Sequence, residues 1–436
     1  MSWEPGTDGG RVLGIHLPDA TASMTPETLV DWYASQQGAS FGLGDIIAPM
    51  TPPVPARSEW PSISLWVQVD ANGGVGAYRI EPGWVRVDEA PPPELINDVS
   101  TWVLQTQKRP GLAFTEEPRL TLDEHPTGLA AAGDAGVAQG LAILANHLLA
   151  RHMQALQLPG LFRVQAPPDA EAWERYRFLL TELGLTPPEE LELATLLPLI
   201  QAHELAPLLQ NLFLELLKPP TDSLQPGGHF GVGVEPYLHG VAAFERYADL
   251  FNQRVLWALF TQGKDRKSAR SKETIDPRSS ECHGRVDWPV LPTGLQEDLQ
   301  NQAQQLLPQL QERERAHRQA REDYRHLVWL HRCDLTPGQT LRGLVVGVES
   351  YGSFVAIQHT PLQGLVHVTA LKNDWYEFRP KQQALVGRKT NATFVVGAVM
   401  EVVVKGIDYY RQQVDLTLPP DMGDETHEPD ASPADA

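Results

Sequence analysis

An α+β fold is predicted, with a β-rich N-terminal part, a helical middle and an all-β barrel at the C-terminal end. Three observations predict it: alternating apolar runs with turn residues between them over 11–90, apolar residues at helical spacing from Leu141 onward, and a return to short glycine-punctuated strands after Leu335. At 436 residues the chain has room for two or three domains, each with its own core.

The first strands fall at Val12–Leu17, Ser62–Val69 and Val75–Ile80, and Asn72-Gly73 between the last two is a hairpin signal. Beyond Pro91-Pro92-Pro93, residues Leu141, Leu144, Ala145, Leu148, Leu149 and Met153 share one helical face, and Trp173–Leu185 forms another helix. Glu189–Lys218 is helical in period, expected to break at Pro198 and Pro207 and to stop at Pro219-Pro220. Residues 309–330 read as a long charged helix, a strut or connector, with Glu314–Arg318 and Glu322–His326 at the spacing where side chains meet. Five or six short strands with glycine turns over 335–418 suggest a small barrel. The acidic, Pro- and Ala-containing segment 419–436 is expected to be a disordered tail.

The net charge of −20 argues against a nucleic-acid partner for the chain as a whole. Its distribution matters more: 335–418 holds eight Lys/Arg against six Asp/Glu, while the tail holds six acids and no Lys or Arg. The run Lys264–Lys272 is a second basic stretch, readable as a phosphate-binding surface or a solvated loop. No window is apolar enough to span a membrane and no signal core follows Met1, so a cytoplasmic protein without a membrane partner is expected. Cys282 and Cys333 lack metal-ligand spacing, so neither a disulfide framework nor a zinc site is expected. His147 and His152, five apart on one helix, read as core or surface residues. Gly227, Gly228, Gly231 and Gly233 lack the rest of a nucleotide fingerprint, and no P-loop, His-Glu-x-x-His or Gly-x-Ser-x-Gly motif is present.

The stretch "GQTLRGLVVGVESYGSFVAIQHTPLQGLVHVTAL" carries Gly343, Gly347, Tyr351-Gly352-Ser353-Phe354 and Gly364-Leu365-Val366-His367. It resembles the opening of an S1-type OB barrel. Rings on adjacent strand positions offer flat faces on which any base can stack, worth about 1–3 kcal/mol each. The resemblance makes Tyr351, Phe354 and His367 the stacking platform, with Asp408 and Arg411 as polar contacts near the last turn. The insert Asp374-Trp375-Tyr376-Glu377-Phe378 and the run Gln383-Ala384-Leu385-Val386-Gly387 resemble the C-terminal barrel of the RNase II/RNase R (RNB) family. So do "GIHLPDAT" (14–21), "QGASFGLGDIIAPMTP" (37–52), "LAILAN" (141–146), "LPGLFRVQAPPD" (158–169) and "GGHFGVGVEPYLHG" (227–240). The resemblance implies an RNB-type domain over 1–332, an S1-type OB domain over 335–418 and single-stranded RNA as partner.

Members of that family are 3′-to-5′ exoribonucleases that use Mg²⁺ held by aspartates. The resemblance places those aspartates upstream of 14–21, where only Asp8 stands, so an N-terminally truncated chain is expected. "YLHGVAAFERYADLFNQR" (237–254) resembles the family's Tyr-x-His-Phe-Thr-Ser-Pro-Ile-Arg-Arg-Tyr-x-Asp-Leu-x-x-His-Arg element. Here Val241 and Ala242 replace hydroxyl donors, Ala243 replaces the proline and Glu245 replaces the first arginine, which inverts the charge where phosphate binds. Gly42 stands where the family carries a ring against the terminal base. The expectation is an RNA-binding homologue that is catalytically inactive or severely weakened. No catalytic or metal residue is assigned, Arg246 and Tyr247 are the candidates for any residual role, and Mg²⁺ matters only if activity remains. Two alternatives stay open: an active Mg²⁺-dependent exoribonuclease with metal ligands outside this chain start, and a scaffold that recruits proteins through helix 309–330 or the acidic tail.

Overall fold

The computed structural model describes residues 1–6, 10–43, 46–51, 59–72, 74–86, 99, 102, 134–371 and 374–419. Asp8, Gly73, the proline run at 91–93 and the acidic tail from 420 lie outside them. The contacts divide the chain into two compact units, Met1–Pro167 with Leu217–Gln319 and Pro168–Leu216 with Ala320–Ala436.

In chain order the first unit opens with β1 (Ser2–Pro5), β2 (Arg11–Pro18), α1 (Leu29–Gln37), β3 (Phe41–Leu43), β4 (Ile46–Ala48), β5 (Glu59–Val69), β6 (Val75–Arg86), α2 (Asp134–Ala155) and β7 (Phe162–Val164). Three helices of the second unit follow: α3 (Ala170–Glu182), α4 (Leu193–Gln201) and α5 (Ala206–Leu216). The chain then returns to the first unit for β8 (Thr221–Ser223) and α6 (Tyr247–Gln262), and α7 (Thr293–Arg332) carries residues of both. The second unit ends with β9 (Thr340–Glu349), β10 (Gly352–Ile357), β11 (Gln363–His367), β12 (Tyr376–Arg379), β13 (Ala384–Gly387), β14 (Thr393–Val395), β15 (Val399–Asp408) and β16 (Gln413–Thr417).

The first unit is built on an antiparallel sheet of order β1-β2-β5-β6. Leu13, Ile15 and Leu17 of β2 and Ile63, Leu65 and Val67 of β5 alternate onto one face, because successive side chains of a strand point to opposite sides. They join Leu148, Leu149 and Met153 of α2 and Leu250, Phe251 and Val255 of α6 in a single core. Each such side chain contributes about 1.5–3 kcal/mol on burial. On the opposite face of β5, Ser62 and Ser64 are buried between two half-buried tryptophans, and Ser64 meets His16 at 2.9 Å. Asp70 forms the β5–β6 turn by accepting the amides of Asn72 and Gly74, both at 2.8 Å.

Two proline expectations need correcting. Pro198 lies inside α4, in its second turn, where it forfeits the bond to the carbonyl one turn back and crowds that carbonyl; the helix nonetheless runs on to Gln201, and the break comes at 202–205. Pro207 sits in the first turn of α5, where a missing N–H is no loss. The charged helix is also longer than 309–330. Leu295, Leu299, Ala303, Leu306 and Leu310 carry the helical spacing back to Thr293, through Pro308, and Leu299, Ala303 and Leu310 are buried. Within α7 the carboxylate of Glu314 takes Arg163 of β7 as its hydrogen-bonding partner, where the sequence pattern had favoured Arg318.

In the second unit, β10-β11-β16-β15-β9 close into a barrel, with β11 and β16 parallel and every other neighbour antiparallel. Val345, Val355, Ile357, Val366, Val402, Val404, Val414 and Leu416 are buried. The insert forms its own three-stranded sheet, β12-β13-β14. Asp374 ties that sheet's loop together by accepting the amides of Trp375 (2.6 Å), Lys389 (2.7 Å) and Thr390 (2.7 Å) and the Thr390 hydroxyl (2.8 Å). Withdrawal from water acts against ionisation, but the amides of Thr390, Lys389 and Trp375 outweigh it and hold the Asp374 carboxyl at about 2. A carboxyl depressed from its ordinary 3.8 gives its full contribution above that value, and the contribution disappears as pH falls through 2. Asp374→Ala is therefore expected to raise hydrogen exchange at the Lys389 and Thr390 amides at neutral pH while the barrel strands stay protected. Unchanged exchange would show that other contacts hold the loop.

Candidate nucleic-acid interface

The segment 237–246 belongs to neither a long helix nor a sheet, so its backbone needs other partners. Buried side chains from α2 and α6 supply several of them. Asn146 accepts the Gly240 amide at 3.0 Å and donates to the Tyr237 hydroxyl at 3.1 Å. Asn252 donates to the His239 carbonyl at 2.7 Å and also bonds the amide and carbonyl of Leu161, both at 2.9 Å. Gln253 donates to the carbonyls of Gly240 (3.0 Å) and Pro18 (3.1 Å) and accepts the Ala20 amide at 3.1 Å. A Cβ at Gly240 would stand 2.8 Å from a Leu149 methyl, so a larger residue at this place would require the buried Leu149 side chain to shift.

The turn itself is clamped from both ends. Asp249, fully buried in the first turn of α6, accepts the Ala242 amide at 2.7 Å. Ser40 donates its amide to the Glu245 carbonyl at 2.7 Å, and Tyr247 donates its amide to the Gly38 carbonyl at 2.8 Å. The backbone is thus held firmly while its side chains are chemically plain: Val241 and Ala242 are half-buried, Ala243 is buried, and Glu245 is exposed. Phe41, one position before Gly42 on β3, stacks on His317 at 4.5 Å.

The two residues carried as candidates for residual chemistry are both engaged. Arg246 donates to Asp249 at 2.9 Å and approaches His239 Nε2 at 3.4 Å. The buried Tyr247 hydroxyl donates to Asp31 at 2.8 Å, and Arg254 donates to that hydroxyl at 3.0 Å and to Asp31 at 2.6 Å. Burial pushes the Tyr247 hydroxyl up to about 12, so it keeps its proton at neutral pH. Beside them, Arg163 pairs with Asp222 at 3.3 Å and with both carboxylate oxygens of Glu314. Burial raises the Asp222 carboxyl against the pull of Arg163, whereas Glu314, although its burial acts the same way, is held below the ordinary range by its Arg163 hydrogen bonds. Arg163 is thus shared unequally, with Glu314 taking the better geometry. The two arginines of this cluster face three carboxylates, and an incoming phosphate has to compete with Asp249, Asp222 and Glu314 for them.

On the barrel, Tyr351 and His367 are exposed and Phe354 is half-buried. Tyr351 and Phe354 meet edge to face, with centroids 6.1 Å apart. Gly352 pairs directly with His367, and Val368 donates its amide to the Tyr351 carbonyl at 2.8 Å, so the three rings share one region. Only glycine fits at 352, because a Cβ there would lie 2.5 Å from the Val366 carbonyl oxygen. Asp408 and Arg411 are placed elsewhere. They form the β15–β16 turn, where the Arg411 amide donates to Asp408 at 2.9 Å, and the parallel register puts that turn at the Gln363 end of β11, away from His367. The same turn displays Tyr409, stacked on His331 at 4.8 Å, and Tyr410, 97% exposed.

Sequence reasoning missed Asn146, Asn252, Gln253 and the two turn tyrosines. Asp249, Asn252 and Gln253 fall on one face of α6, a spacing that suggests a solvated stripe, and here that stripe is buried. In the basic loop, Arg266 pairs with Asp265 at 2.9 Å and Lys267 with Asp287 at 2.6 Å, as in a solvated loop. Magnesium requires clustered oxygen donors. Among the described residues, the group of three or more His, Cys, Asp or Glu side chains placed to hold a metal is His152, Cys282 and His283, a nitrogen and sulfur set that does not fit Mg²⁺. Among the described residues no helix is long and apolar enough to cross a membrane.

Comparison with known proteins agrees with this architecture. Residues 104–262 match the RNB domain, and residues 334–418 match the S1 RNA binding domain. The acetazolamide conferring resistance protein zam of Synechocystis is 29% identical over 452 residues, covering 93% of this chain and 58% of that protein. Ribonuclease R of Escherichia coli is 28% identical over 285 residues, covering 63% of this chain and 32% of that enzyme. The chain therefore spans less than two thirds of either relative. Mycoplasma genitalium RNase R in complex with ribose methylated single-stranded RNA superposes with a TM-score of 0.73 at 16% identity, covering 96% of this chain and 68% of that one, a likeness of fold. With an RNB domain followed by an S1 domain on a ribonuclease R-like fold, the chain is a homologue of the RNase II/RNase R family.

Proposed function

We propose that the protein binds single-stranded RNA through the Tyr351, Phe354 and His367 region of its S1 barrel, and that its RNB domain accepts a 3′ end without hydrolysing it. The observation that carries this reading is the turn at 241–245: the backbone is held by Asn146, Asn252, Gln253 and Asp249, yet Val241 and Ala242 offer no side-chain donor and Glu245 presents a negative charge. The neighbouring arginines do not compensate, since Arg246 is already paired with Asp249 and Arg163 with Glu314 and Asp222. Family chemistry would use Mg²⁺ to polarise the scissile phosphate, and no step is assigned to it on the described donor set. Asp408 and Arg411 would contact a different stretch of the strand from the stacked rings. Contacts from barrel cations to phosphate should make binding weaken with salt, and the excess negative charge of the chain, −20, should keep the affinity modest by repelling the strand.

The test is a 5′-labelled single-stranded RNA incubated with the protein and Mg²⁺ or Mn²⁺, beside a filter-binding titration of the same RNA. Retention without shortening is expected. Progressive shortening from the 3′ end that EDTA abolishes and that survives repurification would overturn the non-hydrolytic reading, and absence of retention would overturn the binding reading.

A further inference from the structure

Away from the turn, α2 meets the loop before α7 through a pair of imidazoles. His152 Nδ1 stands 2.9 Å from His283 Nε2, and the other nitrogen of His152 lies 2.9 Å from the Pro277 carbonyl oxygen. Cys282 completes the group, with the three donor atoms all within 4.8 Å of one another. His152 and Cys282 are almost wholly buried, and His283 is half-buried.

The carbonyl decides the protonation pattern. A carbonyl can only accept, so Nε2 of His152 carries the hydrogen and Nδ1 of the neutral ring presents a bare lone pair. His283 must then supply the hydrogen between the two rings. A ring nitrogen whose opposite N–H is fixed by a backbone carbonyl is also the arrangement that orients metal-bound histidines. A divalent ion could therefore replace the shared hydrogen without any change in the Pro277 contact.

We propose that His152, Cys282 and His283 form a binding site for a thiophilic divalent cation, with zinc the best match to a two-nitrogen, one-sulfur set, and with the fourth position open on the half-exposed side of His283. Tetrahedral zinc sets ligand nitrogens about 3.3 Å apart and nitrogen to sulfur about 3.5 Å. The imidazoles need to part by a few tenths of an ångström and the sulfur to close in, movements that side-chain rotation supplies. Burial, and then the neighbouring His283, pushes His152 down to about 3, so a proton does not compete for its Nδ1. Burial, and then Asp276, pushes the Cys282 thiol up to about 11, so the ion must displace a proton there and binding should tighten with pH. Arg151 lies near His283 and opposes a cation, while Asp276, paired with Arg278 and Arg79, favours one.

The experiment is a Co²⁺ titration of the metal-stripped full chain, followed by Zn²⁺ competition and metal analysis of the desalted protein. One equivalent is expected, with a near-ultraviolet thiolate-to-cobalt band that Zn²⁺ bleaches. Cys282→Ser should abolish the band, and His283→Gln, at a half-exposed position, should weaken binding by at least about 100-fold, with circular dichroism and apo melting temperature checking that each variant folds. A Zn²⁺-induced rise in melting temperature should be present in the wild type and absent from both variants. A wild type without the band, or one that retains no more zinc than His283→Gln, would reduce the cluster to a hydrogen-bonded histidine pair.

Discussion

Asn252→Leu is expected to cost the first unit at least about 3 kcal/mol, because the substitution strips three hydrogen bonds at about 1–3 kcal/mol for each group left unsatisfied and buried. Asn252 is almost wholly buried, and its amide bonds the Leu161 amide, the Leu161 carbonyl and the His239 carbonyl. Leucine keeps the same branched skeleton with bulkier methyl ends, so the loss would come from orphaned and crowded polar groups and not from a cavity. The effect should also spread: the turn at 241–245 begins two residues after His239, and its protection against hydrogen exchange should fall with that of Leu161. Urea unfolding followed by tryptophan fluorescence checks the first part, with the two units treated as separate transitions. A shift below about 1 kcal/mol would mean that water satisfies these groups or that Gln253 and Asn146 suffice to hold the segment.

The second large effect is on RNA. Tyr351→Ala and Phe354→Ala should each weaken binding of single-stranded RNA by about 5- to 150-fold, the loss of one stacked base at 1–3 kcal/mol. Because a ring and not a charge is removed, the salt dependence of binding should stay as in the wild type and the loss should be uniform across sequences. Tyr351 is exposed and its removal should leave the barrel intact; Phe354 is half-buried, so its variant requires a check of melting temperature. Arg411→Ala should behave differently, flattening the salt dependence by about one unit of slope if the residue contacts a phosphate. Unchanged affinity in Tyr351→Ala and Phe354→Ala together would remove these rings from the RNA-binding surface.

Much of the fold was legible because it is written in near neighbours. The period of two in β2, β5 and the barrel strands, the period of 3.6 in α2 and α3, and the Tyr-Gly-Ser-Phe and Gly-Leu-Val-His turns all depend on residues a few positions apart. Local pattern also misled. Pro198 looked like a break, although the helix continues past it to Gln201, and Glu314 looked paired along its own helix, although Arg163 offers it a two-pronged contact.

By itself the sequence determined an α+β chain ending in a glycine-punctuated barrel, the rings that barrel displays, and the plain chemistry of the turn at 241–245. Only the tertiary structure decided what holds that turn and which groups face one another. Asn252 reaches back 91 positions to Leu161, Tyr247 reaches 216 to Asp31, and His152 meets His283 across 131. Spacing along a chain constrains side chains that share a helix face or a strand. A buried polar group takes whatever donor or acceptor folding brings to it, because water is excluded and an unmet hydrogen bond costs more than the local preference that spacing records.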